Sequence, residues 1–193
     1  MLDENLSKIK ADSYKFVIIT LDSHSAGPVS RVQAKLKPFF PTLEITVHAA
    51  AEWAENPSSL DAAKRDILNA DIIIANLLFL EEHVRAILPT LKTKRENCDA
   101  LVGCISSKEV VSLTKMDRLD MSKPTTGFLS LLKKLRGSSK SGKPASGKRQ
   151  MSILRRLPKI LKFIPGKAQD VRSYFLTMLY WLGGSDDNVE SMI

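Results

Sequence analysis

Short, continuous apolar runs recur along the first part of the chain, and such runs are typical of strands buried on both faces of a parallel sheet. The first run, KFVIITL, is rich in β-branched residues, which favour strands. Comparable runs follow at 71–75 and 99–104, while residues 43–48 alternate between apolar and polar positions and predict a further strand. The predicted strands are residues 15–21, 43–48, 71–75 and 99–104.

Amphipathic stretches separate these runs and predict helices. Pro28 suits a first helical turn, Pro38 ends the same helix, and serines are placed to cap two later helices. The predicted helices cover residues 28–37, 58–69, 81–88 and 107–114. Since strands and helices alternate, we expect right-handed crossovers and a sheet with helices on both faces. The predicted fold class is therefore α/β, a three-layer, parallel, flavodoxin-like or Rossmann-like domain over residues 1–114.

The composition changes after residue 114. Residues 115–167 hold fifteen basic residues against two acidic ones, in a chain whose net charge is +8. Residues 128–136 predict a basic amphipathic helix, and residues 137–149 are almost wholly Gly, Ser, Lys, Pro and Arg, which bury little apolar surface. We therefore expect residues 115–150 to form a basic, partly disordered linker. Apolar residues at helical spacing then predict a helical segment over residues 151–193 that leads into the next domain.

The composition also limits the cellular compartments in which we expect the protein. The sequence has two cysteines and no secretory leader, and its longest aromatic-rich apolar stretch, residues 174–182, is far shorter than the roughly 20 residues of a membrane span. Acidic residues close behind Met1 argue against an uncleaved transit peptide. These features favour a cytoplasmic bacterial protein, or the plastid stroma for a processed plastid protein, with membrane contact at most peripheral. Nucleic acid is not an expected partner, because the basic segment lacks interleaved aromatic residues.

Two short motifs resemble catalytic signatures but lack the required context. GSSKSGK at residues 137–143 has P-loop spacing, yet Pro144 stands where a hydroxyl must hold Mg²⁺, and no strand precedes the motif. SHSAG at residues 23–27 follows the first strand as a nucleophile elbow would, but the elbow needs glycine in place of Ser23. We therefore rank an enzyme that uses Ser25 third among the possible functions, after the two that are described below. No pair of histidines or cysteines has the close spacing of a zinc site, so no metal ligands are predicted.

Polar side chains follow the predicted strands at their carboxyl ends. In an open parallel sheet, ligands bind beyond these ends. The residues that this rule brings together are candidates for contact with a ligand or with another domain: Asp22, His24, Ser25, His48, Asn76 and Ser106. The alternative is that they are hydrogen-bonded loop residues that contact no ligand.

A second candidate surface lies on the predicted helical segment. Apolar residues between Ile153 and Ile164 recur at helical spacing and are flanked by basic side chains. Such side chains suit an anion, the propionates of a porphyrin, or a partner. The basic residues are Arg155, Arg156, Lys159 and Lys162. We favour the alternative that this helix packs its apolar side on the sheet or on the next domain, because the nearby aromatics Tyr174 and Trp181 are typical of a core or an interface.

Several long blocks of the sequence resemble one family. They are VIITLDSH at residues 17–24 with HAA at 48–50, ADIIIANLLFLEEHVRAILP at 70–89, CDALVGC at 98–104, and MSILRRLPKILKFIPGKAQDVRSYFLTMLYWLGGSDDNV at 151–189. These blocks resemble the amino-terminal part of the large, porphyrin-binding H subunits of magnesium chelatase, and they span most of the chain. The cobalt-inserting large subunit of cobalamin synthesis is the nearest alternative family, but the middle and last blocks resemble the magnesium enzyme more closely.

The resemblance implies a role and a set of partners. It implies that the chain is the non-catalytic, amino-terminal part of an H subunit, with the residues for metal insertion lying beyond Ile193. In that family the full subunit binds protoporphyrin IX and Mg²⁺. An AAA+ ATPase subunit and its AAA+-like companion bind the ATP that drives magnesium insertion in chlorophyll and bacteriochlorophyll biosynthesis. The segment itself is expected to bind no cofactor and to contact the remaining domains of its subunit. A free-standing α/β module for a tetrapyrrole or a small anion is the alternative.

Overall fold

A six-stranded sheet forms the centre of the molecule. The computed structural model describes residues 13–21, 23–123, 158, 161 and 167–193. The strands are β1 (Tyr14–Thr20), β2 (Leu43–Ala49), β3 (Ile72–Asn76), β4 (Ala100–Cys104), β5 (Lys115–Met116) and β6 (Leu119–Asp120). Their order is β2-β1-β3-β4-β5-β6. Strands β1 to β4 are parallel to one another, β5 is antiparallel to β4, and β6 is antiparallel to β5. The predicted α/β class is therefore confirmed.

Helices cover both faces of this sheet. They are α1 (Ala26–Leu36), α2 (Pro57–Asn69), α3 (Glu81–Lys94), α4 (Lys108–Val111), α5 (Lys167–Gly183) and α6 (Asp186–Met192), with short 3-10 turns at Ala50–Glu52 and Arg95–Asn97. The predicted cap of α4 is confirmed, because the Ser107 side chain accepts a hydrogen bond from the Val110 N–H. Helix α3 is longer than predicted and passes through Pro89. It continues because Leu91 extends its buried apolar stripe beyond the proline.

The two faces of the sheet belong to two separate apolar clusters. Side chains alternate along β1, so Phe16 and Ile18 pack with α1, α5 and α6, whereas Val17 and Ile19 pack with α2, α3 and α4. This double coverage explains why β1, β3 and β4 are largely apolar at successive positions, whereas β2, at the edge of the sheet, alternates. The result is a three-layer arrangement, as the sequence predicts.

The carboxyl-terminal helices pack on the same sheet as α1. Val171, Phe175 and Trp181 of α5 and Val189 of α6 share one apolar cluster with the strands. The buried Tyr174 hydroxyl donates to the Gly103 carbonyl oxygen at 3.2 Å. Although the sequence predicts that residues 151–193 lead into a next domain, residues 167–193 complete one face of the amino-terminal sheet.

The same helices are tied to α1 by ion pairs on the surface. Arg31 donates two hydrogen bonds of 2.7 Å to the Asp186 carboxylate, and Lys35 lies 2.5 Å from Glu190. The two basic side chains are largely exposed and the two carboxylates are partly exposed, so these pairs contribute little free energy compared with the apolar packing beneath them. The two ion pairs fix the direction of α6 alongside α1.

The sheet extends through Asp120, beyond the predicted end of the α/β domain at residue 114. A buried arginine, Arg95, anchors this β5–β6 hairpin by donating to the Leu113 carbonyl oxygen at 2.9 Å and to the Asp120 carboxylate. Burial raises the pKa of the Asp120 carboxyl, but hydrogen bonds from Ser122, Lys123 and Arg95 outweigh burial and hold that pKa well below its usual range. The carboxylate therefore stays charged opposite the guanidinium at neutral pH.

We expect the Trp181→Ala substitution to test the packing of α5 on the sheet. Trp181 is 8% exposed, and removing a buried tryptophan side chain lowers the free energy of unfolding by about 3–5 kcal/mol. Its neighbour Leu182 is 52% exposed, so Leu182→Ala is the matched control, with an expected change within about 0.5 kcal/mol. Urea unfolding followed by circular dichroism measures both. Equal midpoints for the two variants would show that α5 is not part of this core.

Some predicted elements lie outside the described residues. These are the basic helix over residues 128–136 and the Gly- and Ser-rich loop over residues 137–149. Leu161, which belongs to the predicted apolar stripe, and Pro158, which interrupts it, are helical and buried, and Leu161 joins the cluster beneath α1 and α5. Within the described part of the chain, no helix is long and apolar enough to cross a membrane.

Candidate functional site

The site predicted from the sequence lies at the carboxyl ends of the parallel strands. Strand β1 lies between β2 and β3, and the chain goes from β1 to β2 on one side and then to β3 on the other. The connections after β1 and β3 therefore lead to helices on opposite faces of the sheet. Such a reversal leaves a crevice between the two strand ends, which is where open α/β sheets bind ligands.

A pair of buried polar side chains forms the floor of this crevice. Thr20 ends β1, Asn76 ends β3, and the Thr20 hydroxyl donates to the Asn76 side-chain oxygen at 3.3 Å. Asn76 is fully buried, and its side-chain nitrogen finds no hydrogen-bond partner among the described residues. Burying an unpaired amide donor is costly, so this nitrogen is suited to an acceptor supplied by water or a ligand.

Ser106 joins the two loops beside this floor. Its hydroxyl oxygen accepts a hydrogen bond from the Leu78 N–H at 3.1 Å and donates to the Cys104 carbonyl oxygen at 3.0 Å. A backbone bond of 2.9 Å from the Leu77 N–H to the Ile105 carbonyl oxygen runs alongside. The Ser106 hydroxyl is thus used in joining the connections after β3 and β4, which indicates a structural role.

Two residues next to Ser106 adopt left-handed backbone conformations. Leu77 has φ 56° and Ile105 has φ 48°, a region that bulky side chains enter at a cost of about 1–3 kcal/mol each. The hydrogen bonds between the two loops hold both residues in place. The loops at this edge are therefore fixed in one shape rather than adaptable.

The connection from β1 to α1 carries the other candidates. Ser25 is half-buried and precedes the first turn of α1 without capping it through its side chain, while His24 is exposed. Asp22 lies outside the described residues. The amino terminus of α1 brings backbone N–H groups and a positive dipole end to this edge, which suits a negatively charged or carbonyl-bearing group.

His48 lies in a different environment from the other candidates. Strand β2 continues to Ala49, so His48 is inside the strand rather than beyond its end. Its Nε2 atom lies 2.7 Å from the Asp66 carboxylate on α2. The structure therefore pairs His48 with a helix that covers one face of the sheet and does not bring it to the crevice.

The prediction from sequence missed the apolar rim of the crevice. Phe79 and Leu80 connect β3 to α3, and they are 57% and 47% exposed. The signal was present, because FL continues the apolar run of the strand past its end and directly before Glu81 and Glu82. Exposed apolar side chains around a polar floor are typical of a binding surface.

No activated nucleophile stands near this edge in the described part of the chain. Burial raises the pKa of the Cys104 thiol to about 12, so this thiol stays protonated at neutral pH. Burial also raises the pKa of the Tyr174 hydroxyl, which donates to a backbone carbonyl instead. The described residues contain no cluster of His, Cys, Asp or Glu that could hold a metal ion. The polar side chains described at this edge are used for hydrogen bonding and for joining the loops.

The second candidate surface is not described by the structure. Its basic residues Arg155, Arg156, Lys159 and Lys162 all lie outside the described residues. The P-loop-like motif at residues 137–143 lies outside them as well. Both remain predictions from the sequence.

Comparison with known proteins gives a family and several relatives. Residues 15–175 match the family described as a domain of unknown function, DUF3479. The chain is 57% identical over 180 residues to the magnesium-chelatase H subunit of Rhodobacter capsulatus, and equally to that of Cereibacter sphaeroides. It is 32% identical over 132 residues to the chloroplastic ChlH subunit of magnesium chelatase from Oryza sativa subsp. indica.

The matches cover most of this chain but a small part of each relative. The bacterial alignments include 93% of this chain and 15% of the H-subunit sequences. The rice alignment includes 66% of this chain and 9% of that protein. The chain thus spans about one seventh of the bacterial relatives, and the matching part is their amino-terminal region.

Proposed function

This chain belongs to the DUF3479 family, and because it matches the amino-terminal region of magnesium-chelatase H subunits, we propose that it serves as the non-catalytic, amino-terminal part of such a subunit. The observation that carries this proposal is 57% identity maintained over 180 residues. Identity of that extent over most of the chain supports a shared role, whereas a shared fold alone would leave function open.

The full subunit would bind protoporphyrin IX and Mg²⁺, and partner subunits of the AAA+ class would bind ATP. Insertion of Mg²⁺ replaces two pyrrole protons of the ring, so the reaction needs a base for these protons and ligands that deliver the metal. The described residues supply rigid loops, a protonated Cys104 and paired side chains such as His48 with Asp66. These features favour a scaffold that shapes the subunit, with the metal-inserting residues elsewhere in it. Its compartment would be the cytoplasm of a bacterium or the stroma of a plastid.

The crevice between β1 and β3 is the surface through which this scaffold would contact a ligand or another domain of the subunit. Its support is the unpaired Asn76 nitrogen, the amino terminus of α1 beside Ser25, and the apolar rim of Phe79 and Leu80. A polar floor with an apolar rim suits a group that carries an oxygen acceptor on an apolar body. Ser106 would preserve the shape of the crevice, and His24 would lie at its entrance.

We expect the isolated chain to insert no Mg²⁺ into protoporphyrin IX, even with ATP and both partner subunits present. The full-length H subunit of Rhodobacter capsulatus in the same assay is the positive control. The fluorescence of magnesium protoporphyrin measures both reactions. Turnover by the isolated chain would overturn the proposal, because it would place the base and the metal-delivering ligands within these 193 residues.

A further inference from the structure

An aromatic loop lies at the opposite edge of the sheet from the crevice. Residues 37–41 connect α1 to β2 and are all exposed. Phe39 is 76% exposed and Phe40 is 57% exposed, more than any other pair of neighbouring large apolar residues in the described ranges. Two adjacent aromatic side chains that are exposed to solvent are typical of an interaction surface.

The backbone of this loop is well fixed, although its side chains are exposed. The N–H groups of Phe39 and Phe40 both donate to the Leu36 carbonyl oxygen at 2.9 Å. The Leu43 N–H donates to the Phe40 carbonyl oxygen at 3.1 Å. Pro38 and Pro41 further restrict the backbone on either side of the pair. The aromatic side chains are therefore presented in a defined arrangement, which lowers the entropy cost of binding a partner.

The carboxyl end of α6 lies beside this loop. Met192 and Ile193 pack against the same apolar cluster as Leu36 and Leu43, the residues that flank the loop. The ion pair between Lys35 and Glu190 joins the last turns of α1 and α6. The position that corresponds to the start of the following polypeptide in the longer relatives is thus close to Phe39 and Phe40.

From this juxtaposition we propose that Phe39 and Phe40 form the docking surface for the polypeptide that follows this region in the full H subunit. The inference rests on the proposed function. The relatives are far longer than this chain, which spans 15% of their sequence, so the following part of the same polypeptide is the partner that we propose for this surface. Its surface would be apolar where it meets the two rings and acidic where it meets the exposed Lys37.

Other occupants fit these observations less well. A lipid surface favours a cluster of basic residues. Here Glu190 pairs with Lys35 in space, and Glu44 follows Lys37 closely in sequence, so the basic charge is partly balanced. A second copy of the chain would not explain why the loop lies beside the end of α6. The following part of the same subunit accounts for both the exposed rings and their position.

Cysteine labelling tests this surface without relying on activity. Phe39→Cys is introduced into the chain with Cys98 changed to Ser, since Cys98 is half-buried and Cys104 is fully buried. The same variant is placed in a chimera, in which the chain replaces the matching region of the Rhodobacter capsulatus H subunit. A maleimide reacts with both proteins, and peptide mass spectrometry gives the rate at residue 39. We expect labelling to be at least about tenfold slower in the chimera, because a docked partner excludes the reagent.

Leu68→Cys is the matched control. Leu68 is 48% exposed and lies on α2, which covers the other face of the sheet, so its labelling rate should be equal in both proteins. Equal rates at residue 39 would overturn the inference. Slower labelling of the isolated chain at high protein concentration would indicate a second copy instead. Slower labelling only with vesicles of anionic phospholipid would indicate a membrane, and either outcome would also overturn it.

The labelling experiment and the activity of the chimera test the docking surface and the proposed function separately. A chimera that inserts Mg²⁺ but labels freely at residue 39 contradicts the docking surface alone. A folded chimera without activity that is nevertheless protected at residue 39 contradicts the proposed function and leaves the docking surface supported.

Discussion

Replacing Gly103 with alanine should lower the free energy of unfolding by about 3 kcal/mol or more, the upper range for overpacking a close-packed site. A Cβ atom at this position would lie 2.3 Å from the Val110 carbonyl oxygen and 2.8 Å from its carbonyl carbon. Both atoms belong to the backbone of α4, so no side-chain rotation can relieve the overlap. Either β4 or α4 must move.

The surroundings of Gly103 make that movement costly. Its N–H donates to the Thr114 hydroxyl at 3.0 Å, and its carbonyl oxygen accepts hydrogen bonds from the hydroxyls of Thr114 and Tyr174. The glycine therefore joins α4, the start of the β5–β6 hairpin and α5 to one strand. A shift of β4 would strain all of these contacts together.

Gly27→Ala is the matched control for this substitution. Its Cβ would lie 3.5 Å from an Arg31 side-chain nitrogen, an ordinary contact, and Gly27 lies within α1. Alanine is the better helix former there, so a gain of up to about 1 kcal/mol is expected. Urea unfolding followed by circular dichroism compares the two variants with the parent chain. A Gly103→Ala variant as stable as the parent would contradict the close approach of α4 to β4.

The parallel sheet could be predicted because its strands carry the information locally. KFVIITL and the runs at 71–75 and 99–104 are largely apolar at successive positions, a pattern typical of strands covered on both faces, and residues 43–48 alternate as a strand does. Their alternation with amphipathic stretches then fixes the parallel arrangement. The fold class therefore followed from short windows of sequence.

Other features depend on contacts between distant residues. The sequence predicts a helix over residues 81–88, yet α3 continues through Pro89 because Leu91 is buried against the sheet. The β5–β6 hairpin has strands of two residues and little periodicity, and its anchor is Arg95, eighteen residues before Leu113 in sequence. The packing of α5 and α6 on the amino-terminal sheet likewise joins segments separated by the long basic stretch, so no local pattern predicts it.

The sequence predicted only part of the candidate site, again because some of its features depend on contacts between distant residues. Asn76 and Ser106 lie at the same edge of the sheet, since Asn76 ends β3 and Ser106 follows β4, but whether they contact a ligand stays a prediction. His48 was included because the predicted strand stopped there, but β2 continues by one residue and the imidazole meets Asp66 on α2. The use of the crevice stays a prediction.

The family was visible in the sequence because the resemblance lies in long ordered blocks rather than in short motifs. The match to DUF3479 over residues 15–175 and the identity to the bacterial H subunits confirm it. Neither the P-loop-like GSSKSGK nor the elbow-like SHSAG contributed to that identification. A motif without its structural context carries little weight beside identity over most of a chain.

The chimera of this chain with the Rhodobacter capsulatus H subunit should retain most of the magnesium-insertion rate of the natural subunit. A scaffold that is 57% identical and keeps the same core should present the rest of the subunit in the same geometry. If the rest of the subunit packs on this scaffold as proposed, deleting the region altogether should abolish insertion, because the apolar contact surfaces would be exposed to water. This contrast between replacement and deletion is the largest effect that we expect.

One measurement tests the central claim most directly: the steady-state rate at which the purified chimera, supplied with ATP and the partner subunits, converts protoporphyrin IX and Mg²⁺ into the fluorescent magnesium porphyrin. If the chain is the amino-terminal scaffold of an H subunit, the rate lies within about threefold of the natural subunit, a change of less than about 1 kcal/mol in the activation barrier. A chimera that folds and binds its partners but forms no product would contradict that claim.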